Sequence, residues 1–167
     1  MTDKRADGQT SKEFVIGEVT DTDAVWPELE GLVLGIIEYH RPWDQRVLRA
    51  DWATRMREYM ASHCFTLVAR SESGAPLGFL SGTVGPDVGI FEGVVGHIDN
   101  AFVIESARRQ GVGRALAERF EKRCRDEGAR SIRLDVAAGN SMGFVFWAQA
   151  SFVTSRFELE KRLEEPR

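Results

Sequence analysis

The sequence predicts an α/β fold, a mixed sheet with helices on both faces, and three observations carry that expectation. Apolar residues alternate with polar ones in short runs such as Ile132-Arg133-Leu134-Asp135-Val136, the period of a half-buried strand. They recur at i, i+4 in Val112, Leu116, Phe120 and Cys124, the stripe of an amphipathic helix. The two kinds of segment follow one another as β, α, α, β, β, β, α, β, α, β without an internal repeat or a linker, so a single domain over 13–167 is expected.

Residues 14–19 read as the first strand, and Thr20-Asp21-Thr22-Asp23 supplies caps for a helix. Leu29, Leu32, Val33, Ile36 and His40 carry that helix to Arg41-Pro42, where proline disfavours helix in the residue before it. Trp52, Met56 and Met60 mark a second helix. Phe65-Thr66-Leu67-Val68 reads as a strand, and the turn cluster at 71–76 leads into another over 77–84, which makes a hairpin. Residues 85–96 are glycine-rich and read as irregular, ahead of a strand over 97–104. In the helix that follows, Glu118/Lys122 and Glu121/Arg125 are expected to pair on the outer face, and Gly128 to end it. A strand through Ile132 to Val136, a helix over 140–150 and a final strand over 152–159 complete the reading.

Composition narrows the function classes. With 43% hydrophobic and 29% charged residues and only five prolines, the chain reads as an ordinary globular protein. No run approaches the ~18 apolar residues that a membrane-spanning helix needs. Residues 1–12 are polar and charged and are expected to form a disordered tail, neither a secretion signal nor an anchor. Cys64 and Cys124 have no CxxC spacing and no nearby histidine, so the expectation is reduced thiols in a cytoplasmic protein without a metal site. A net charge of -4 argues against nucleic acid as the main partner.

One segment carries chemistry. Arg108-Arg109-Gln110-Gly111-Val112-Gly113-Arg114 places glycines where a strand hands over to a helix. Backbone N–H groups and the positive end of the helix dipole converge there, and glycine lets an anion approach the backbone. With three arginines around it, a pyrophosphate is the natural ligand; a glycine turn flanked by solvated arginines is the plainer alternative. Dinucleotide and nucleotide triphosphate binding read poorly, because Leu116 stands where GxGxxG needs its third glycine and no Gly-Lys-Ser/Thr occurs.

The segment Arg108 to Gly113 matches the (Arg/Gln)-x-x-Gly-x-(Gly/Ala) signature of the GNAT acetyltransferase superfamily. Asn140 followed by Phe146-Trp147-Ala148-Gln149-Ala150-Ser151-Phe152 resembles that family's downstream Asn…Phe-Tyr-x-x-x-Gly-Phe segment. The resemblance implies a mostly antiparallel, twisted GNAT sheet whose central strands splay into an acyl-CoA cleft. It implies N-acetyl transfer from acetyl-CoA to a primary amine by direct attack in a ternary complex, with acetyl-CoA as co-substrate and room for a homodimer; on composition, no metal, nucleic acid or membrane partner is expected. Arg108, Arg109, Gln110, Gly111, Val112, Gly113 and Arg114 would hold the pyrophosphate. Ala101, Phe102 and Val103 would pair with the pantetheine arm, and Asn140 would bond it from the opposite strand.

The same resemblance sets His97-Ile98-Asp99 where arylalkylamine-type members carry a His-x-His pair, so His97 with Asp99 is the candidate base; a histidine bonded at a strand edge is the alternative. The family's tyrosine is replaced by Trp147, whose indole does not titrate usefully and is expected to pack on the pantetheine or in the core. That departure keeps alive a non-catalytic acyl-CoA-binding or regulatory module. Trp43 and Asp44, between the first two helices, are the candidate acceptor contacts, against a packed tryptophan and a solvated acid. His40 has a weaker claim to the acceptor pocket, and His63 reads as a loop cap.

Overall fold

The computed structural model describes residues 14–44, 46–88 and 92–161; the tail expected over 1–12 lies outside them. A five-stranded sheet runs β1 (Phe14–Glu18), β2 (Phe65–Ser71), β3 (Pro76–Pro86), β4 (Val94–Val103), β5 (Ala129–Leu134) in spatial as well as chain order. The first three pairings are antiparallel and β4 with β5 is parallel. That one parallel pair needs a crossover, and α3 (Val112–Asp126) supplies it.

α1 (Thr22–His40) and α2 (Trp52–His63) cover one face. Trp26, Leu29, Leu32, Val33 and Met60 meet Val68 and Phe79 there. α3 covers the other, where Val112, Leu116, Phe120 and Cys124 meet Leu67, Leu80 and Ile98. Asp21 starts α1 by accepting the Ala24 N–H at 3.1 Å, so the helix begins before its apolar stripe does. Gly35 is what seats α1 on the sheet: a Cβ there would stand 2.7 Å from the Phe102 ring.

The structure corrects three local expectations. β4 begins at Val94, not at His97, because Gly96 passes directly under Cys124 of α3 and a glycine is the residue that allows so close a helix–sheet approach. Glu118 pairs with Arg114 and Lys122 with Asp126, each at i, i+4, instead of with each other; Glu121 and Arg125 pair as expected. The strand expected over 152–159 belongs to no sheet: after the Phe152 N–H donates to Trp147 O, the segment pairs with no strand among the described residues. α4 (Ser141–Gln149) does form, capped by Asn140.

β4 carries a bulge that decides the site. Ser81 pairs with Asn100 but Gly82 pairs with Ile98, so Asp99 is an extra residue without its own partner. The bulge shifts the alternation: Ile98 and Ala101, three apart, both pack in the α3 core, while Phe102 packs with α1. His97 and Asp99 are left together on the α1/α2 face, where Asp99 meets Tyr59 of α2.

Candidate active site

β4 and β5 stay paired only as far as Ile98 with Leu134. Beyond that point β4 continues to Val103, bonded to β3 on one side, while the chain after β5 turns away toward Asn140. The separation opens a cleft of about 320 Å³, walled by Phe102, Val103, Leu134, Val136, Phe146 and Trp147 and roofed by Tyr39 and His40 of α1. Its β4 wall presents strand backbone that has lost its neighbour.

At one end of the cleft stands the first turn of α3. The first intrahelical bond is Ala115 N–H to Gly111 O at 2.9 Å, so the N–H groups of Val112, Gly113 and Arg114 point out of the helix end. Gly111 holds φ +85, a left-handed conformation that glycine adopts without strain, and a Cβ there would meet nothing within 4 Å. That open space is where an anion can reach the amides. Gly113 is constrained differently, because its Cβ would stand 3.3 Å from the Phe146 ring. Its smallness seats α4 against α3.

The arginines separate into two groups. Arg108 and Arg109 line the cleft. The Arg108 guanidinium lies 5.0 Å from the centre of the Tyr39 ring and 5.8 Å from that of Phe102, and its Nε donates to Val103 O at 3.1 Å. It is held over the cleft wall by the rings' negative faces, and the helix end is left to others. Arg114 turns outward to Glu118 at 2.8 Å, and Gln110 donates its side-chain amide to Ser106 O at 2.7 Å. Both side chains are thus engaged elsewhere, and of Gln110 and Arg114 the backbone is what remains at the helix end.

At the other end, Asp99 lines the cleft and collects three donors: His97 Nδ1 at 2.9 Å, Tyr59 OH at 3.1 Å and Cys64 Sγ at 3.6 Å. The Asp99 side chain is 17% exposed and that of His97 42%. The imidazole therefore stands behind the carboxylate, on its solvent side. Burial, and secondly the Asp99 charge, push the Cys64 thiol up to about 12, while burial pushes Cys124 up to about 11. Both thiols are thus held as neutral SH. At pH 8 a group with pKa 12 is thiolate in about one part in 10⁴, so Cys64 alkylation by iodoacetamide should run about 10³-fold slower than that of a free thiol and recover on unfolding. Mass-resolved labelling of native and denatured protein measures this.

His40 lines the cleft directly, and burial, opposed by Asp44, lowers the pKa of its ring. The two proposed acceptor residues lie outside that lining. Asp44 is engaged through both oxygens by Arg46, at 2.6 Å for Nη2 to Oδ2. Trp43 packs its ring on the backbone at Gly139 and edge-on to Tyr39, 5.4 Å between centres. Tyr39 in turn donates to Asn140 Oδ1 at 3.1 Å, and the same oxygen accepts the Gly143 N–H at 2.9 Å. Asn140, buried, is therefore first a helix cap and a tie between α1 and α4. Trp147 is fixed between Phe146 and Phe152, with ring centres at 4.8 and 5.1 Å. His63 ends α2 and stacks on Tyr59 at 5.3 Å.

Sequence alone does not assign Tyr39 and Tyr59 to the site, nor place Cys64, expected there only as a reduced thiol, beside Asp99. Tyr39 could have been found as the polar aromatic four residues after Gly35 on the helix's apolar face; nothing in sequence brings 59 and 64 to 99.

The stretch that carries the strand–glycine turn–helix falls within the match to a family model. The model described as Acetyltransferase (GNAT) family covers residues 26–144. This chain is a member of the GNAT acetyltransferase family. No curated protein matches it. Among solved structures, the aminoglycoside N-acetyltransferase AAC(6')-Iy in complex with CoA superposes with a TM-score of 0.72 at 18% identity, over 90% of this chain and 94% of that one. The glucosamine-6-phosphate N-acetyltransferase of Arabidopsis thaliana gives 0.66 at 17% over 91% and 99%. An acetyltransferase of Trypanosoma brucei gives 0.65 at 17% over 90% and 100%. At these identities the likeness is one of fold, and the mostly antiparallel GNAT sheet with helices on both faces is as expected. No helix among the described residues is long and apolar enough to cross a membrane.

Proposed function

We propose that this GNAT protein transfers an acetyl group from acetyl-CoA to a primary amine, with both bound at once. The observation that carries the reading is the cleft itself, which joins a helix-end anion site to a length of unpaired β4 backbone. Acetyl-CoA needs both, having a pyrophosphate and an extended arm with amide groups, and it supplies the activated acyl group and a thiol that leaves. The amides of Gly111, Val112, Gly113 and Arg114, with Arg109 beside them, take the pyrophosphate. The β4 backbone at Ala101, Phe102 and Val103 pairs with the arm once Arg108 releases the Val103 carbonyl. Asn140 adds its Nδ2, since Oδ1 is occupied by Tyr39 and Gly143. A β4 N–H directed into the cleft stabilises the oxyanion as the amine attacks.

Asp99 faces the arriving ammonium and accepts its proton, and His97 behind it carries the charge toward solvent. His40, inside the cleft and with its ring favoured neutral, is the second candidate for the base. Trp147 packs on the arm, and water protonates the departing thiolate. Trp43 holds the acceptor side of the cleft through Gly139, while Asp44, paired with Arg46 outside the cleft lining, has no direct part in it. Two of the structural neighbours are complexes of an aminoglycoside N-acetyltransferase, with CoA and with a bisubstrate analogue, in agreement with an amine acceptor.

The replacement of the usual tyrosine by Trp147 favours one second reading, an acyl-CoA-binding module without turnover. Incubation with acetyl-CoA and a panel of amino acids, polyamines, amino sugars and peptide N-termini, with free thiol as the readout, separates the two. Thiol release with any amine is the expected result. A melting-temperature rise with acetyl-CoA but no release favours the module, and neither response overturns both.

A further inference from the structure

Among the described residues, the partners of the Arg108 guanidinium are two aromatic rings and one carbonyl, none of them anionic. Tyr39 lies 5.0 Å from it, Phe102 5.8 Å, and its Nε donates to Val103 O at 3.1 Å. An aromatic face attracts a cation within ~6 Å of the ring centre, and here rings from α1 and β4 do so together. The rings are fixed independently of the arginine. Tyr39 donates its hydroxyl to Asn140 Oδ1 at 3.1 Å and meets Trp43 edge-on, while the Phe102 ring lies against Gly35 of α1. A seat for a cation is therefore built into the cleft wall, and in the free protein a residue of the chain itself fills it.

Other charges in the cleft indicate what takes that seat when Arg108 leaves it. Asp99 and Asp135 follow Ile98 and Leu134, the last paired residues of β4 and β5, and both line the cleft. Burial favours the neutral ring of His40, which lines it too. An acceptor bearing a carboxylate would meet two like charges there, whereas an acceptor with two cationic groups meets a carboxylate at one and aromatic faces at the other. Asp99 and Phe102 stand three residues apart on β4, about 10 Å at the ~3.3 Å rise of a strand and less with the bulge, a span that a short alkyl chain bridges.

We propose that the acceptor is an amine carrying a second cationic group, a guanidinium or an alkylammonium, and that this group sits between Tyr39 and Phe102, where Arg108 stands in for it in the free protein. Tyr39 and Phe102 are then specificity-determining residues, and Asp99 receives the reacting amine. The assignment of the ligand as an acceptor rests on the acetyl-transfer reading. Acetyl-CoA takes the Val103 carbonyl for its arm, which frees the guanidinium of Arg108 and clears the seat for the acceptor.

Isothermal titration calorimetry of the cofactor-free chain reads the seat without turnover, so this proposal and acetyl transfer, read by thiol release, fail separately. The probes are aminobutylguanidine, with an amine and a guanidinium, and butylamine, with the amine alone. Arg108→Ala should bind aminobutylguanidine about tenfold more tightly than wild type, within the worth of a desolvated cation–aromatic contact, and bind butylamine no better. Adding Tyr39→Leu should cancel that gain. Adding Tyr39→Phe, which keeps the ring and loses the bond to Asn140, should preserve it. Far-UV circular dichroism checks that each variant is folded, and Phe102→Leu removes the other ring should Tyr39→Leu fail to fold. Equal affinity of wild type and Arg108→Ala for aminobutylguanidine overturns the proposal. A gain that survives loss of the ring overturns it as well, because removal of a repelling charge then accounts for the whole effect.

Discussion

Asp99→Ala is expected to lower kcat/KM for the amine by about 10² to 10⁴, the usual worth of a positioned proton acceptor, while acetyl-CoA still raises the melting temperature as in wild type. The bulge of β4 brings this carboxylate into the cleft, and its three donors, His97, Tyr59 and Cys64, fix its orientation. His97→Ala should fall in the same range, because the proton taken by Asp99 then has no imidazole to pass to. Steady-state kinetics with each substrate varied in turn reads both variants. Full activity in His97→Ala would make that histidine a structural residue. A large loss in His40→Ala alone would move the base to the imidazole that lines the cleft.

Gly111→Ala should abolish the thermal shift given by acetyl-CoA. A ligand at a hundred times its Kd stabilises the fold by about 2.7 kcal/mol. At about 2–4 °C per kcal/mol for a domain of this size, wild type should gain several degrees. The new methyl group meets no protein atom within 4 Å and enters the space where the phosphate must reach the amides. Its left-handed φ costs the apo fold about 1–2 kcal/mol, so the variant melts somewhat lower but remains folded. Gly113→Val is a poorer probe, since it would push on Phe146 and disturb the packing of α4 whatever its effect on binding. Differential scanning fluorimetry across an acetyl-CoA titration measures the shift, and an undiminished response in Gly111→Ala would remove the anion site from this helix end.

Local pattern determined the parts of this protein whose cause is local. The i, i+4 stripe from Val112 to Cys124 dictates α3, Pro42 ends α1 nearby, and the turn at 71–76 makes the β2–β3 hairpin, because each rests on a few neighbouring residues. The proposed anion site rests on equally local features: a glycine turn and the helix end that follows are contiguous in sequence. Tertiary structure decided what depends on distant partners. The bulge that admits Asp99 is a matter of register between two strands, and no feature of residues 97–103 alone announces it. Arg108 looks like a phosphate ligand until the rings of Tyr39 and Phe102, from two other elements, hold it over the cleft wall. The segment 152–159 has the alternation of a strand and yet belongs to no sheet. A strand is completed by a neighbour's hydrogen bonds, and whether one exists is settled outside the segment.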